Sequence, residues 1–427
     1  MSSWIVGLFL AFFVLEHAVE WGLALLNQRH VRAHGATVPP ALVGQVDEET
    51  ACRSRDYTLA RGHLGLLSAA MGALLTLLVL FSGLLPAWDQ WLAGAGLERE
   101  GWADALRFVG FLAGAGALFY VAALPFGLYG TFVIENRFGF NHSTVRTWVA
   151  DRLKGLGFSV VIGLPFLYGV HAFMAYSGAA WWLWLFAFVA VVQLGLIWLY
   201  PLVIAPLFNR FTPLPEGVLR TRLEALAARA GFRTSGIFVM DASRRSGHSN
   251  AYFTGFLRPR IVLFDTLLQQ MDEDQTVAVL AHEIGHYRAH HIHKALALNL
   301  AGMLVLLWVL SLLVAWEPFF LAFGFTQSSP HVALLLFMLC GGAFMFWLTP
   351  LQAGLSRRNE YAADAYSVQQ AGLPQALLGA LVKLNRENLA NLHPHPWYSR
   401  YHYSHPTLLE RQAAIERLPT SLPSAGA

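Results

Sequence analysis

Seven apolar stretches divide the chain, at about 4–26, 64–85, 108–130, 156–176, 181–203, 298–324 and 332–353. A helix needs roughly 20 such residues to cross a ~30 Å hydrocarbon layer, so each stretch predicts a membrane span. Residues 27–63 predict a polar loop, and the Pro-rich run Pro206–Pro215 ends the fifth span. The pattern then changes period. Pro215 to Gly231 carries Val218, Leu223, Leu226 and Ala230 on one helical face, while Ile237–Met240 and Arg260–Phe264 read as strands. Between them, Ser246 to Phe253 alternates and predicts a strand with one exposed edge. Asp272 to His291 predicts a helix, because Asp272 and Gln275 form a capping box ahead of Thr276-Val-Ala-Val-Leu-Ala281. After the seventh span the chain returns to polar, helical composition, and the tail beyond Leu418 reads as disordered.

This order predicts four segments: five spans with their loops over 1–203, a water-facing segment over 204–297, two spans over 298–353, and a water-facing return over 354–427. Composition agrees. The chain is 56% hydrophobic and 13% charged, against about 25% charged in ordinary soluble domains, as expected of a multi-pass membrane protein in a lipid bilayer. A net charge of +3 is too small to argue for a nucleic-acid partner. Cys52 and Cys340 lie far apart and offer neither a CxxC pair nor a disulfide framework. Met-Ser-Ser-Trp4 lacks the positive start of a cleavable leader, so the first stretch reads as a retained span. It contains Glu16, His17 and Glu20, which face either the bundle interior or the membrane interface. Of the 29 Lys and Arg, 27 fall in 27–63, 131–155, 204–297 and beyond 354, all on one side if the chain crosses seven times. The positive-inside rule makes that side cytoplasmic and puts the N-terminus outside.

The chemistry concentrates in Ala281-His282-Glu283-Ile284-Gly285-His286. Histidines four apart lie on one helical face, so His282 and His286 can reach one metal ion, and Glu283 borders its open side, placed to take a proton from an activated water. Metzincins add glycine and histidine three and six residues further on; here Ala289 and Ile292 stand there, which excludes that class. A zinc hydrolase needs a third ligand. Ser356-Arg-Arg-Asn-Glu360-Tyr-Ala-Ala-Asp364 offers one, with Glu360 as ligand and Asp364, one turn on, as acceptor for a ligand histidine. The competing reading is a solvated juxtamembrane helix, although Ala362, Ala363 and Ala365 suit it to close packing. His290, His291 and His293 read as interfacial.

With these residues in view, the chain resembles the type I CAAX prenyl proteases, integral-membrane zinc metallopeptidases. The resemblance runs through Phe132–Asn141, Pro206–Pro215, His248–Phe253, Arg260–Leu267, the HExxH helix, Ser356–Asp364, Pro394–Ser399 and Tyr403–Pro406. It implies a mainly α fold: a seven-helix barrel around an intramembrane chamber, with a split gluzincin-type domain containing a small β element. It implies one zinc per chain on His282, His286 and Glu360, with Glu283 as general base. Asn250 and Ala251 match the edge strand that pairs with an extended substrate, or else Asn250 is a buried structural residue. His405 matches a histidine that hydrogen-bonds the developing oxyanion, or else it marks a turn before Pro406. The implied partner is a peptide or protein, isoprenylated in the family's pattern. The Pro-Ser-Ala-Gly-Ala end shows no retrieval signal, which leans the address to a bacterial inner membrane rather than the endoplasmic reticulum. Two other functions fit the same residues: a broad membrane quality-control protease, and a non-catalytic lipid or peptide carrier with a vestigial zinc site.

Overall fold

The computed structural model describes residues 3–97, 101–232, 234–254 and 260–419. Seven helices long and apolar enough to cross a membrane run Ser3–His34 (α1), Glu48–Phe81 (α2), Trp102–Glu135 (α3), Val145–Tyr176 (α4), Gly178–Phe208 (α5), His291–Val314 (α8) and Pro330–Ala371 (α9). The seven expected spans are all present, but several ends differ.

Helix α2 starts sixteen residues before its apolar stretch, inside the expected loop. Asp47 caps it by accepting the Thr50 N–H at 2.7 Å, and Glu48 and Glu49 occupy its first turn. The sixth span stops at Val314 rather than continuing to 324. Trp316 is extended there, and Pro318 opens a separate short helix, Glu317–Ala322. The seventh does the opposite. At 42 residues it extends to about 63 Å at 1.5 Å per residue, twice the hydrocarbon thickness. A 3-10 turn at Phe346–Leu348, followed by Pro350, tightens it midway without ending it, and it stops at Gly372, whose φ of 67° is the left-handed conformation that glycine tolerates at a helix end. A helix of this length is too long to lie wholly within the hydrocarbon layer, and its C-terminal part packs against the helix that carries His282 and His286.

Side chains from all seven spans pack together at one end of the bundle: Phe9, Leu80, Phe108, Val170, Leu185, Leu310 and Leu336 belong to one buried cluster. At the other end the helices part and leave chambers of about 610 and 870 Å³ between themselves and the water-facing segments. This is the expected mainly α barrel around an intramembrane chamber. Large apolar groups such as Trp184, Val191 and Val305 remain exposed on spans, as lipid-facing residues do.

The water-facing segments fold around a four-stranded sheet: β1 (Phe211–Pro213), β2 (Ile237–Met240), β3 (Ala251–Thr254) and β4 (Arg260–Phe264), in the order β1-β2-β4-β3. β2 and β4 are parallel and buried; β1 and β3 pair antiparallel at the two edges. The Pro-rich stretch, read only as a helix breaker, thus also supplies an edge strand, where a proline is tolerated. Helix α6 (Val218–Arg229) buries Leu223 and Leu226 with Leu263 of β4 and with Leu280 and Ile284 of α7 (Glu273–Arg288). Beyond α9, α10 (Pro374–Glu387), α11 (Pro396–His402) and α12 (Leu408–Glu416) complete the segment, with Leu377, Leu381 and Ile415 packed with Ala278. Both cysteines are free. The tail from residue 420, and Arg99 on the opposite side, lie outside the described residues.

Candidate metal centre

Helix α7 begins at the expected capping box: Asp272 Oδ1 accepts the Gln275 N–H at 2.9 Å and Gln275 Oε1 accepts the Asp272 N–H at 3.3 Å. Lys383 of α10 binds the same Gln275 Oε1 at 2.8 Å. Val277, Leu280, Ala281 and Ile284 face the core, which leaves His282, Glu283 and His286 toward α9 and the chamber.

Contact between α7 and α9 is made possible by Gly285. A Cβ at this position would lie 3.0 Å from Ala363 Cα and 3.2 Å from its carbonyl oxygen, so the two backbones approach as closely as small residues allow. Ser367 Oγ adds a hydrogen bond to Ala278 O at 2.7 Å. This approach brings Glu360 to the histidines. His282 Nε2 is 3.5 Å from Glu360 Oε2, His286 Nε2 is 3.3 Å from Glu360 Oε1, and the two Nε2 atoms are 3.2 Å apart. These three residues are the one group of at least three His, Cys, Asp or Glu found among the described residues that could hold a metal.

The donor set fits a cation. Glu360 is 4% exposed, and its Oε2 is buried with no hydrogen-bond partner; His405 Nδ1 lies 2.9 Å away but without hydrogen-bond alignment. A buried carboxylate oxygen facing two imidazole nitrogens is costly without a positive charge between them. Two nitrogens and one oxygen suit zinc and leave room for a fourth ligand.

Each histidine is held from behind. His282 Nδ1–H donates to Asp364 Oδ1 at 2.8 Å, and Asp364, 1% exposed, also accepts from Arg411 Nε at 2.8 Å. In the metal-free site burial disfavours the His282 imidazolium, but hydrogen bonds to Asp364 and Glu360 outweigh it and push His282 up to about 9. His286 Nδ1 lies 3.0 Å from His291 Nδ1. This corrects the interfacial reading of His291, which is buried; His290, with φ of 56°, turns the chain so that α8 can start there. His290 and His293 stay exposed. Burial raises the Glu283 carboxyl above the ordinary range. Sequence reasoning did not single out Arg411, and it placed His291 at the interface rather than beside His286. Arg411 is 47 residues from Asp364, and nothing in local spacing links them.

Ala251 begins edge strand β3, opposite Leu263, and is buried. Asn250 just before it is exposed, and its Oδ1 accepts the Ala251 N–H at 2.8 Å, so the buried-structural reading of Asn250 does not hold. The lead into β3 is clamped to the membrane helices. His248 stacks on Phe140 at 4.0 Å between centroids, its Nε2 lies 3.3 Å from Glu135 Oε2, and its Nδ1 lies 3.0 Å from Asn388 Oδ1. Glu135 in turn accepts from Tyr57 at 2.7 Å and Arg61 at 3.1 Å, both on α2.

Family models match nearly the whole chain: CAAX prenyl protease N-terminal, five membrane helices, over residues 27–210, and peptidase family M48 over 213–418. The chain belongs to peptidase family M48. It is an integral-membrane metallopeptidase. Its relatives include the CAAX prenyl protease 1 homolog of Oryza sativa subsp. japonica, 37% identical over 95% of this chain and 96% of that one. CAAX prenyl protease 1 of Saccharomyces cerevisiae is 35% identical over 92% and 91%. The crystal structure of S. mikatae Ste24p superposes with a TM-score of 0.86 at 32% identity, covering 95% of this chain and 97% of that one. These named relatives are eukaryotic, unlike the bacterial owner that the chain's end suggested.

Proposed function

We propose that this M48 peptidase cleaves near the C-terminus of an isoprenylated CAAX-type peptide, using one zinc held by His282, His286 and Glu360. When bound, zinc acidifies a water and polarises the scissile carbonyl. The chain's own groups do the rest. Glu283 takes the proton of the attacking water and returns it to the leaving amine; its raised proton affinity suits both halves of that cycle. His405, exposed beside Glu360, donates to the oxygen on which negative charge develops. Asp364 and His291 hold the two ligand imidazoles in orientation, and Arg411 holds Asp364. The open edge of β3 at Asn250 and Ala251 pairs with the extended substrate backbone.

The observation that carries the lipid preference is the 870 Å³ cavity. It lies against Asn250, Tyr252 and Phe253 and is lined on its membrane side by apolar residues of α4 and α5, among them Phe166, Val189 and Leu196. An isoprenoid entering it leaves water at about 0.8 kcal/mol per CH₂-sized unit. The relatives named for CAAX processing support the same substrate. The catalytic side is cytoplasmic by the distribution of basic residues, in a bacterial inner membrane or, as the eukaryotic relatives favour, the endoplasmic reticulum.

The test compares a farnesylated peptide with its unmodified twin in detergent. Preferential cleavage of the farnesylated form is expected; equal cleavage of both supports the quality-control reading instead.

A further inference from the structure

A groove of about 690 Å³ runs between α2 and α3, away from the metal centre. Its wall on α2 includes Asp56, Ala60, His63 and Leu67. The residues two further on, Thr58, Gly62, Gly65 and Ala69, line the 610 Å³ chamber instead. Two residues turn an α-helix by about 200°, so the groove occupies the opposite face of α2, outside the bundle. On α3 its wall includes Phe126, Tyr129, Val133 and Arg137. Leu67, Tyr129 and Val133 are exposed there, as lipid-facing side chains are.

The groove changes character along its length. Leu67 lies within the apolar stretch 64–85, and Phe126 and Tyr129 lie within 108–130. Asp56, His63 and Arg137 lie just beyond those stretches, on the side of the metal centre. The groove therefore crosses the level at which hydrocarbon gives way to headgroups. Tyr129 stands at that level, where tyrosines collect.

Positive charge at the polar end is not compensated. Arg137 is exposed and has no carboxylate partner among the described residues; its guanidinium carbon lies 5.4 Å from the Phe138 ring centroid. Behind His63, Arg32 Nη2 lies 2.6 Å from His63 Nε2 and 3.2 Å from Gln28 Oε1, and neither partner is an anion. Two carboxylates close by are already engaged. Asp56 in the groove accepts from Arg55 Nε at 2.8 Å, and Glu135 accepts from Arg61 at 3.1 Å and Tyr57 at 2.7 Å.

We propose that this groove is a binding site for one anionic phospholipid of the leaflet on the metal-centre side. An acyl chain lies along Leu67, Phe126 and Tyr129, and the phosphate meets Arg137 and the Arg32–His63 pair. Basic pockets between membrane helices select anionic headgroups in this way. A zwitterionic lipid of the same chains fits the apolar part equally but carries a cation into the same charged end, so the headgroup decides the preference.

The experiment is native mass spectrometry of the full-length protein in neutral detergent, titrated with dioleoylphosphatidylglycerol and, separately, with dioleoylphosphatidylcholine. The wild type should bind its first phosphatidylglycerol about fivefold or more tightly than its first phosphatidylcholine. Arg137→Gln and Arg32→Gln should each weaken phosphatidylglycerol by about fivefold, the effect of one arginine at a lipid surface, and leave phosphatidylcholine within about twofold. Arg146→Gln, at the start of α4 and outside the groove, is the control and should change neither. Equal affinity of the wild type for the two lipids overturns the site, as does an Arg137→Gln protein that matches the Arg146→Gln control. Inorganic phosphate at the lipid's concentration should not displace phosphatidylglycerol; displacement would assign the charged end to a free anion and overturn the lipid site.

Discussion

His282 on α7 and Asp364 on α9 are 82 residues apart in the chain, with two membrane crossings between them, yet their side chains meet at 2.8 Å. The bond fixes which imidazole nitrogen faces the centre. Asp364→Asn retains the shape but loses the charge that stabilises the His282 N–H and leaves Arg411 without its carboxylate. Zinc affinity, measured by competition with a chelator, should fall by about 10- to 100-fold. Unchanged affinity would show that the pair is structural only.

The same geometry sets a pH dependence. In the metal-free protein His282 holds its proton up to about pH 9, above the 6.5 of free histidine, so at pH 7 zinc must displace it. Affinity should therefore rise as pH increases from 7 and level off above about 9. Titration calorimetry at pH 7 in two buffers of different ionisation enthalpy should show a proton released on zinc uptake. Identical heats in both buffers would contradict it.

Gly285→Ala should separate α7 from α9. The added Cβ meets Ala363 backbone at 3.0 to 3.2 Å, which neither helix can relieve by a side-chain rotation. A loss of about 1–3 kcal/mol in stability is expected, together with reduced zinc content, because Glu360 moves away from the histidine pair. Thermal unfolding and metal analysis on the same preparation check both.

Orientation is testable without chemistry. Reporter fusions after Leu97 and after Pro419 should lie in opposite compartments, since 27 of the 29 basic residues belong on the side of the metal centre. Matching compartments would mean an even number of crossings between them.

The spans, strands β2 and β4 and the HExxH helix were legible because hydropathy and periodicity are local properties. Helix ends were less so. Hydropathy marks where lipid stops, whereas α2 starts at the Asp47 cap and α9 runs on to Gly372, so the expected loop and the expected end at 353 were both overtaken. The apolar alanines near Glu360 did signal close packing, and Ala363 lies against Gly285. What the sequence concealed depends on tertiary pairing: Arg411 reaching Asp364 from α12, and His291 turned inward by the left-handed residue before it.

The central claim is that His282, His286 and Glu360 hold one zinc while Glu283 moves the protons. It is tested most directly by Glu283→Gln, which keeps the side chain's size and removes its basicity. Zinc content and cleavage of the farnesylated peptide are read on one purified sample. About one zinc per chain is predicted, with the rate lowered by 10²-fold or more, roughly the contribution of a positioned general base. Wild-type cleavage by that variant at full zinc occupancy would contradict the account.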